Sequence, residues 1–189
     1  MSGASLPEVL IVLVLAGVCS AVAMPLTAAS IDAGRAWDSA SFVSSKLRLA
    51  RHQAILKTAS VGLVFDDVAG RWAMRVCVDG NRNGLRRADI ADGTDRCPEG
   101  PFELETLFPG VHIAVDSTLR GPDGEPGSSD AIRFGPSDIA SFSPGGTCTA
   151  GTLFVRSARG VQFAVRVAGV TGRTRILRYD PGADVWRDA

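Results

Sequence analysis

Histidine, cysteine and tyrosine are scarce in this chain, and their scarcity removes several kinds of chemistry. There are two His, at 52 and 112, and four Cys with no Cys-x-x-Cys pair, which argues against a zinc site. Neither His has an evident nucleophile partner. Asp66-Asp67 falls at a strand end, where turns put such pairs, so no catalytic constellation emerges. The chain reads as a non-enzyme, with no cofactor expected. An excess of either charge is also missing: Lys+Arg and Asp+Glu both number 20, so net charge gives no reason to expect nucleic acid. There is no internal repeat and no second domain. What the 189 residues do hold is 46% apolar against 21% charged, enough for a core of ordinary size.

Local absences say more. From Val9 to Ala29 no residue is charged, and roughly 20 apolar residues suffice for a membrane-spanning helix. From Val155 to Arg178 there are six Arg and no acid, whereas from Gly100 to Ala150 two Arg face seven acids. A signal-peptidase reading of the start has a small-residue cut at Ala21-Val22-Ala23, but no Lys or Arg precedes it and Glu8 intrudes. A lipoprotein reading fails because Val18 precedes Cys19.

Beyond Pro25 the pattern stays helical to about Lys57. Trp37, Ala40, Val43, Leu47, Ala50 and Ala54 recur at spacings of three and four, one apolar stripe suited to packing on a sheet. Pro25 is expected to bend the helix without ending it. After Thr58 the period becomes two. Strands are expected around Val61–Phe65, Trp72–Val78, Glu103–Phe108, Val111–Val115, Ala131–Phe134, Thr152–Arg156, Val161–Val167 and Ile176–Tyr179. Residues 121–130 (GPDGEPGSSD) read as a mobile surface loop. The fold class expected is α+β, a long N-terminal helix on an antiparallel sheet.

Gly3, then Ala4-Ser5-Leu6-Pro7-Glu8, then the apolar run with Pro25, resembles the leader of type IV pilins and type II secretion pseudopilins. That resemblance implies cleavage by the prepilin peptidase between Gly3 and Ala4, and methylation of the new amine on Ala4. Two residues depart from the pattern: Ala4 stands where Phe is usual, and Met1-Ser2-Gly3 lacks Lys or Arg. The implied organisation is a leader over 1–3, a transmembrane and assembly half over 4–29, an amphipathic half over 30–57, and a periplasmic domain over 58–189. Leu47-Arg-Leu-Ala-Arg51, Asp79-Gly-Asn-Arg-Asn-Gly84, Phe142-Ser-Pro-Gly-Gly-Thr147 and Gly172-Arg-Thr-Arg175 carry a resemblance to the GspH/FimT branch of minor pilins and pseudopilins. It implies a subunit at or near a filament tip, anchored in the bacterial inner membrane, with other pilins as partners.

Glu8 is the physical crux. A carboxylate within a spanning helix is costly, and this run supplies no cation to pair with it. The resemblance assigns it the amino terminus of a neighbouring subunit; the plainer alternative leaves it among lipid headgroups. Arg166 is expected to face solvent beside the Gly172–Arg175 turn. A guanidinium cluster suits phosphates without reading sequence. By resemblance to FimT-like minor pilins, Arg173 and Arg175 would contact DNA, with Arg178 and Arg166 in support; the alternative is a charge-protected edge strand. Asp79, Asn81 and Asn83 have the spacing of a calcium loop, but Ile90 stands where the closing acid belongs and Arg82, Arg86 and Arg87 repel a cation. A turn that uses Asn and Gly for backbone geometry competes with it and is favoured. Cys77–Cys97 is the favoured disulfide, clamping that segment, with Cys97–Cys148 and three free thiols as rivals.

Overall fold

A computed structural model describes residues 5–189, with side chains at all of these positions except 22–26. Gly3 and Ala4, the expected processing site, lie outside the described residues. The first element, α1, runs Leu6–Lys57 and continues across Pro25, whose side chain is also outside the described set. At 1.5 Å per residue its 52 residues extend about 78 Å. At its start the Glu8 carboxylate reaches back to accept the Ser5 N–H at 3.4 Å, as in a capping box. Thr58, in the left-handed region at φ 50°, ends it.

The sheets divide the rest. One has four antiparallel strands in the order β3-β2-β1-β6: β1 (Val61–Val68), β2 (Arg71–Val78), β3 (Arg96–Glu103) and β6 (Ile139–Phe142). The other has the order β10-β9-β8-β7-β4: β4 (Val111–His112), β7 (Gly151–Ser157), β8 (Gln162–Val167), β9 (Thr174–Asp180) and β10 (Val185–Asp188). The short β5 (Ile132–Arg133) joins β7 on the same edge as β4. Two brief helices, α2 (Arg87–Ala91) and α3 (Leu104–Leu107), complete the set.

The second half of α1 is the spine of the core. Ala36, Ala40, Val43, Leu47, Ala50 and Ala54 are fully buried and share one cluster with Leu63, Phe65, Phe134, Phe154 and Val165. Fully burying a Val, Leu or Phe side chain is worth about 1.5–3 kcal/mol, so this stripe holds helix and sheets together. Ala36 takes the place expected of Trp37, which lies at the stripe's edge, 38% exposed, with its ring 5.8 Å from Phe163. Asp32 accepts the Ser157 hydroxyl at 2.5 Å and the Arg35 guanidinium donates to the Pro109 carbonyl, so polar contacts mark where α1 meets the domain.

The first part of α1 has no such cover. Leu6, Val9, Leu10, Ile11, Val12, Leu13, Val14, Leu15 and Val18 are each between 46% and 78% exposed. Among the described residues no helix is long and apolar enough to cross a membrane. The expected span, Val9–Ala29, includes the five positions without described side chains.

Several expected elements differ. Glu103–Phe108 contributes α3 instead of a strand, and β3, β6, β10 and α2 had no counterpart in the periodicity. The strand β3 reads Arg-Cys-Pro-Glu-Gly-Pro-Phe-Glu, a composition poor in strand formers, and register shifts interrupt its pairing with β2. Such an edge is held by its neighbour and not by its own propensity. Residues 121–130 are also tied down: Gly121 N–H donates to the Glu125 carbonyl, and Asp123 binds Arg166.

Candidate functional site: a basic groove between helix and hairpin turn

The strands β8 and β9 pair antiparallel, with Arg166 opposite Arg175 and Phe163 opposite Arg178. Opposed residues share a face, so Arg166 and Arg175 lie on one side of the sheet and Arg178 on the other, with Phe163. Arg178 therefore does not join the arginine cluster, contrary to expectation. Arg166 is a second correction. Asp123 takes its guanidinium through both carboxylate oxygens, and that bond holds the Asp123 carboxyl below its usual range and raises Arg166. The pair is exposed, so Arg166 stays on the surface with its charge shared with Asp123.

The expected solvent face of β8 is covered as well. Gln162 and Ala164 are buried, and Gln162 Oε1 accepts the Asp116 N–H at 3.0 Å. Trp186 on β10 packs against Phe154 and Tyr179 and donates its indole N–H to the Arg120 carbonyl.

Arg173 and Arg175 behave as expected of free cations. Both side chains are exposed, and among the described residues neither makes a side-chain hydrogen bond or ion pair. The turn between β8 and β9 carries Arg173 toward α1. There a groove of about 460 Å³ opens, lined by Arg48, Arg51, His52, Gly172, Arg173 and Thr174 among others. A second groove of about 390 Å³, lined by Arg166, Arg173 and Arg175, shares Arg173 as its wall. No carboxylate lines either one.

Sequence reading missed Arg48, Arg51 and His52 as members of this site. Their signal was present: Arg48, Arg51 and His52 follow i, i+3, i+4 spacing, one helix face. What it could not supply was the hairpin turn opposite. Three of the segments that carry the branch resemblance meet here. Arg51 from Leu47–Arg51 lies against Gly146 and Gly172, one from each of the other two. A Cβ on Gly172 would sit 2.7 Å from Arg51 Nε and 2.7 Å from the Gly146 carbonyl, and one on Gly146 would sit 3.5 Å from an Arg51 Nη. Both glycines have positive φ, 62° and 82°, so backbone conformation and space each call for glycine. Cys148, a free thiol beneath the same turn, is pushed up by burial, against the pull of Arg51 and of a hydrogen bond from Gly172.

No family profile, no curated protein and no solved structure matches this chain.

At residues 79–84 the Asp79 and Asn81 oxygens of the calcium candidate are engaged by the segment's own N–H groups. Asp79 is buried, and its two oxygens accept N–H groups from Asn81, Arg82 and Gly84 at 3.1, 2.7 and 2.7 Å. The amides of Asn81 and Asn83 both donate to Asp89, which holds that carboxyl below its usual range. A cation would have to displace these donors, and among the described residues no cluster of His, Cys, Asp and Glu could hold a metal ion. Residues 79–84 form a self-satisfied turn. A disulfide joins Cys77 to Cys97 across its base, leaving Cys19 and Cys148 free.

Proposed function

We propose that the chain is a pilin-like subunit that acts by assembly, in a filament of the type II secretion or type IV pilus kind. The observation that carries this reading is the two-part helix. One stretch of α1 buries a stripe of Ala, Val and Leu on its own domain, while the apolar side chains of Leu6–Val18 are left exposed among the described residues. A surface of that kind is covered either by lipid or by other helices. In this reading the inner membrane holds the helix before assembly, with the domain in the periplasm. Helices of other pilins hold it afterwards, and the prepilin peptidase exposes Ala4 as the terminal amine. Glu8 then meets the amine of a neighbouring subunit; among the described residues its own chain offers it one backbone N–H and no cation. No catalytic role belongs to this function.

Mass spectrometry of the protein from its native membrane tests it: a chain beginning at methylated Ala4 is expected. A chain beginning at Met1 or Met24 would reduce the reading to an anchored domain that does not polymerise. Glu8→Ala should keep the protein in the membrane and abolish crosslinking to neighbouring subunits.

A second reading has its own support. Arg173 and Arg175, exposed and without partners above an acid-free groove, suit the phosphodiester backbone of DNA. Such a subunit would capture DNA at a pilus tip. Arg173→Ala with Arg175→Ala should abolish the gel shift given by wild type, and an unchanged shift removes this reading while leaving assembly intact.

A further inference from the structure

Three buried side-chain polar atoms lack a hydrogen-bond partner among the described residues: Ser44 Oγ, Arg51 Nε and Thr174 Oγ1. Two of the three belong to side chains that line the same groove. Buried polar groups are satisfied in the great majority of cases, so an unmet pair at one place asks for a missing partner. Among the described residues the Arg51 guanidinium makes no hydrogen bond or ion pair, although the Gly146 and Gly172 loops close around it. Arg48 stands one turn before it, exposed, and Arg173 faces both from the hairpin.

We infer that α1 supplies half of a phosphate-binding track, with Arg51 as its floor, Arg48 and Arg173 as its rims, and Arg175 as its continuation into the second groove. The inference rests on the DNA reading above and adds the helix to it. The shape favours an extended polyanion over a single small anion, because Arg173 lines both grooves. It also favours nucleic acid over lipid. Arg48 lies 19 residues beyond Ala29, about 28 Å along the helix at 1.5 Å per residue, out of reach of the headgroups around the apolar run. Guanidinium groups bind phosphate oxygens through paired N–H donors, and this needs no base contact, so binding is indifferent to sequence.

The test uses the full chain in non-ionic detergent, a fluorescent 30-base-pair duplex and anisotropy titrations over a range of salt. Arg48→Gln, at an exposed position, should keep the fold. It should weaken binding about tenfold and lower the slope of log affinity against log salt by about 0.9, as loss of one phosphate contact does. Arg51→Gln should do the same, and Arg51→Lys should restore the salt slope but only part of the affinity. Wild-type affinity in both helix variants, with binding lost in Arg173→Gln, would overturn the inference and leave the DNA reading standing. Wild-type protein that binds anionic phosphatidylglycerol vesicles and no duplex would overturn both.

Discussion

The excursion from Asp79 to Cys97 and the turn from Ala168 to Arg175 draw on similar residues, Gly and Arg, and end in opposite states. The excursion has four acids (79, 89, 92 and 95) and four Arg (82, 86, 87 and 96), and its carboxylates are largely consumed by its own backbone. Asp79 caps three N–H groups, Asp95 accepts those of Gly80 and Arg86, and Asp89 takes two Asn amides. Arg87 turns back to the sheet and donates to the Phe65 and Ser137 carbonyls and to Asp66. Leu85 and Ile90 pack on Val64, Cys77 and Ile139, so the excursion roofs the outer face of its sheet. The turn has two Arg, no acid and no side chain to spend them on. In the excursion the acids hold the backbone and Arg87 finds acceptors on the sheet, whereas among the described residues Arg173 and Arg175 find none.

That contrast can be broken or sharpened by experiment. The largest effect belongs to the disulfide. Cys77→Ala with Cys97→Ala should lower unfolding free energy by about 3 kcal/mol, from loss of a closure spanning 20 residues, as read by urea denaturation. Asp79→Ala comes next, at about 2 kcal/mol, because it removes the buried acceptor of three part-buried backbone N–H groups. Arg87→Met should cost about 1 kcal/mol by the same measurement, since its bonds are partly open to solvent.

Smaller still is a pH effect at Asp89. Hydrogen bonds from Asn81 and then Asn83 lower its pKa in the fold. A depressed carboxyl contributes stability above its unfolded pKa, about 4, and loses it as pH falls through the folded value. Asn81→Ala with Asn83→Ala should therefore narrow the difference between urea midpoints at pH 7 and pH 3; an unchanged difference would remove Asp89 from the acid response. The smallest effect on stability is expected at the turn. Arg173→Gln with Arg175→Gln should leave the urea midpoint within about 0.5 kcal/mol of wild type. A larger loss would mean that the two Arg are structural after all, and the contrast would fail.

Periodicity made much of the fold legible. The helix stripe from Ala40 to Ala54 and the strands around Val61–Phe65, Trp72–Val78 and Thr152–Arg156 stand close to where spacing put them, because each buries one face and that burial is written at intervals of 3.6 or 2. The strands β3, β6 and β10 were not legible, being short or rich in Pro, Gly and charge and held by pairing with a neighbour. At the site, Arg173 and Arg175 were legible as a charge run. Two features around Arg166 and Arg178 are contained in no local pattern. Asp123, which binds Arg166, is 43 residues away, and the parity that turns Arg178 aside is set by the β8–β9 register.

The sequence by itself determined the division of α1 into an apolar length and an amphipathic one, and the excess of cations near the carboxyl end, since both follow from local composition. Tertiary structure alone decided which cations stay unpartnered. Freedom of a charge depends on distant residues: Asp123 reaches Arg166, Asp66 reaches Arg87, and among the described residues nothing pairs with Arg51, Arg173 or Arg175. Only folding brings the helix face of Arg48 and Arg51 against the hairpin turn, because contact between segments over a hundred residues apart is a property of packing.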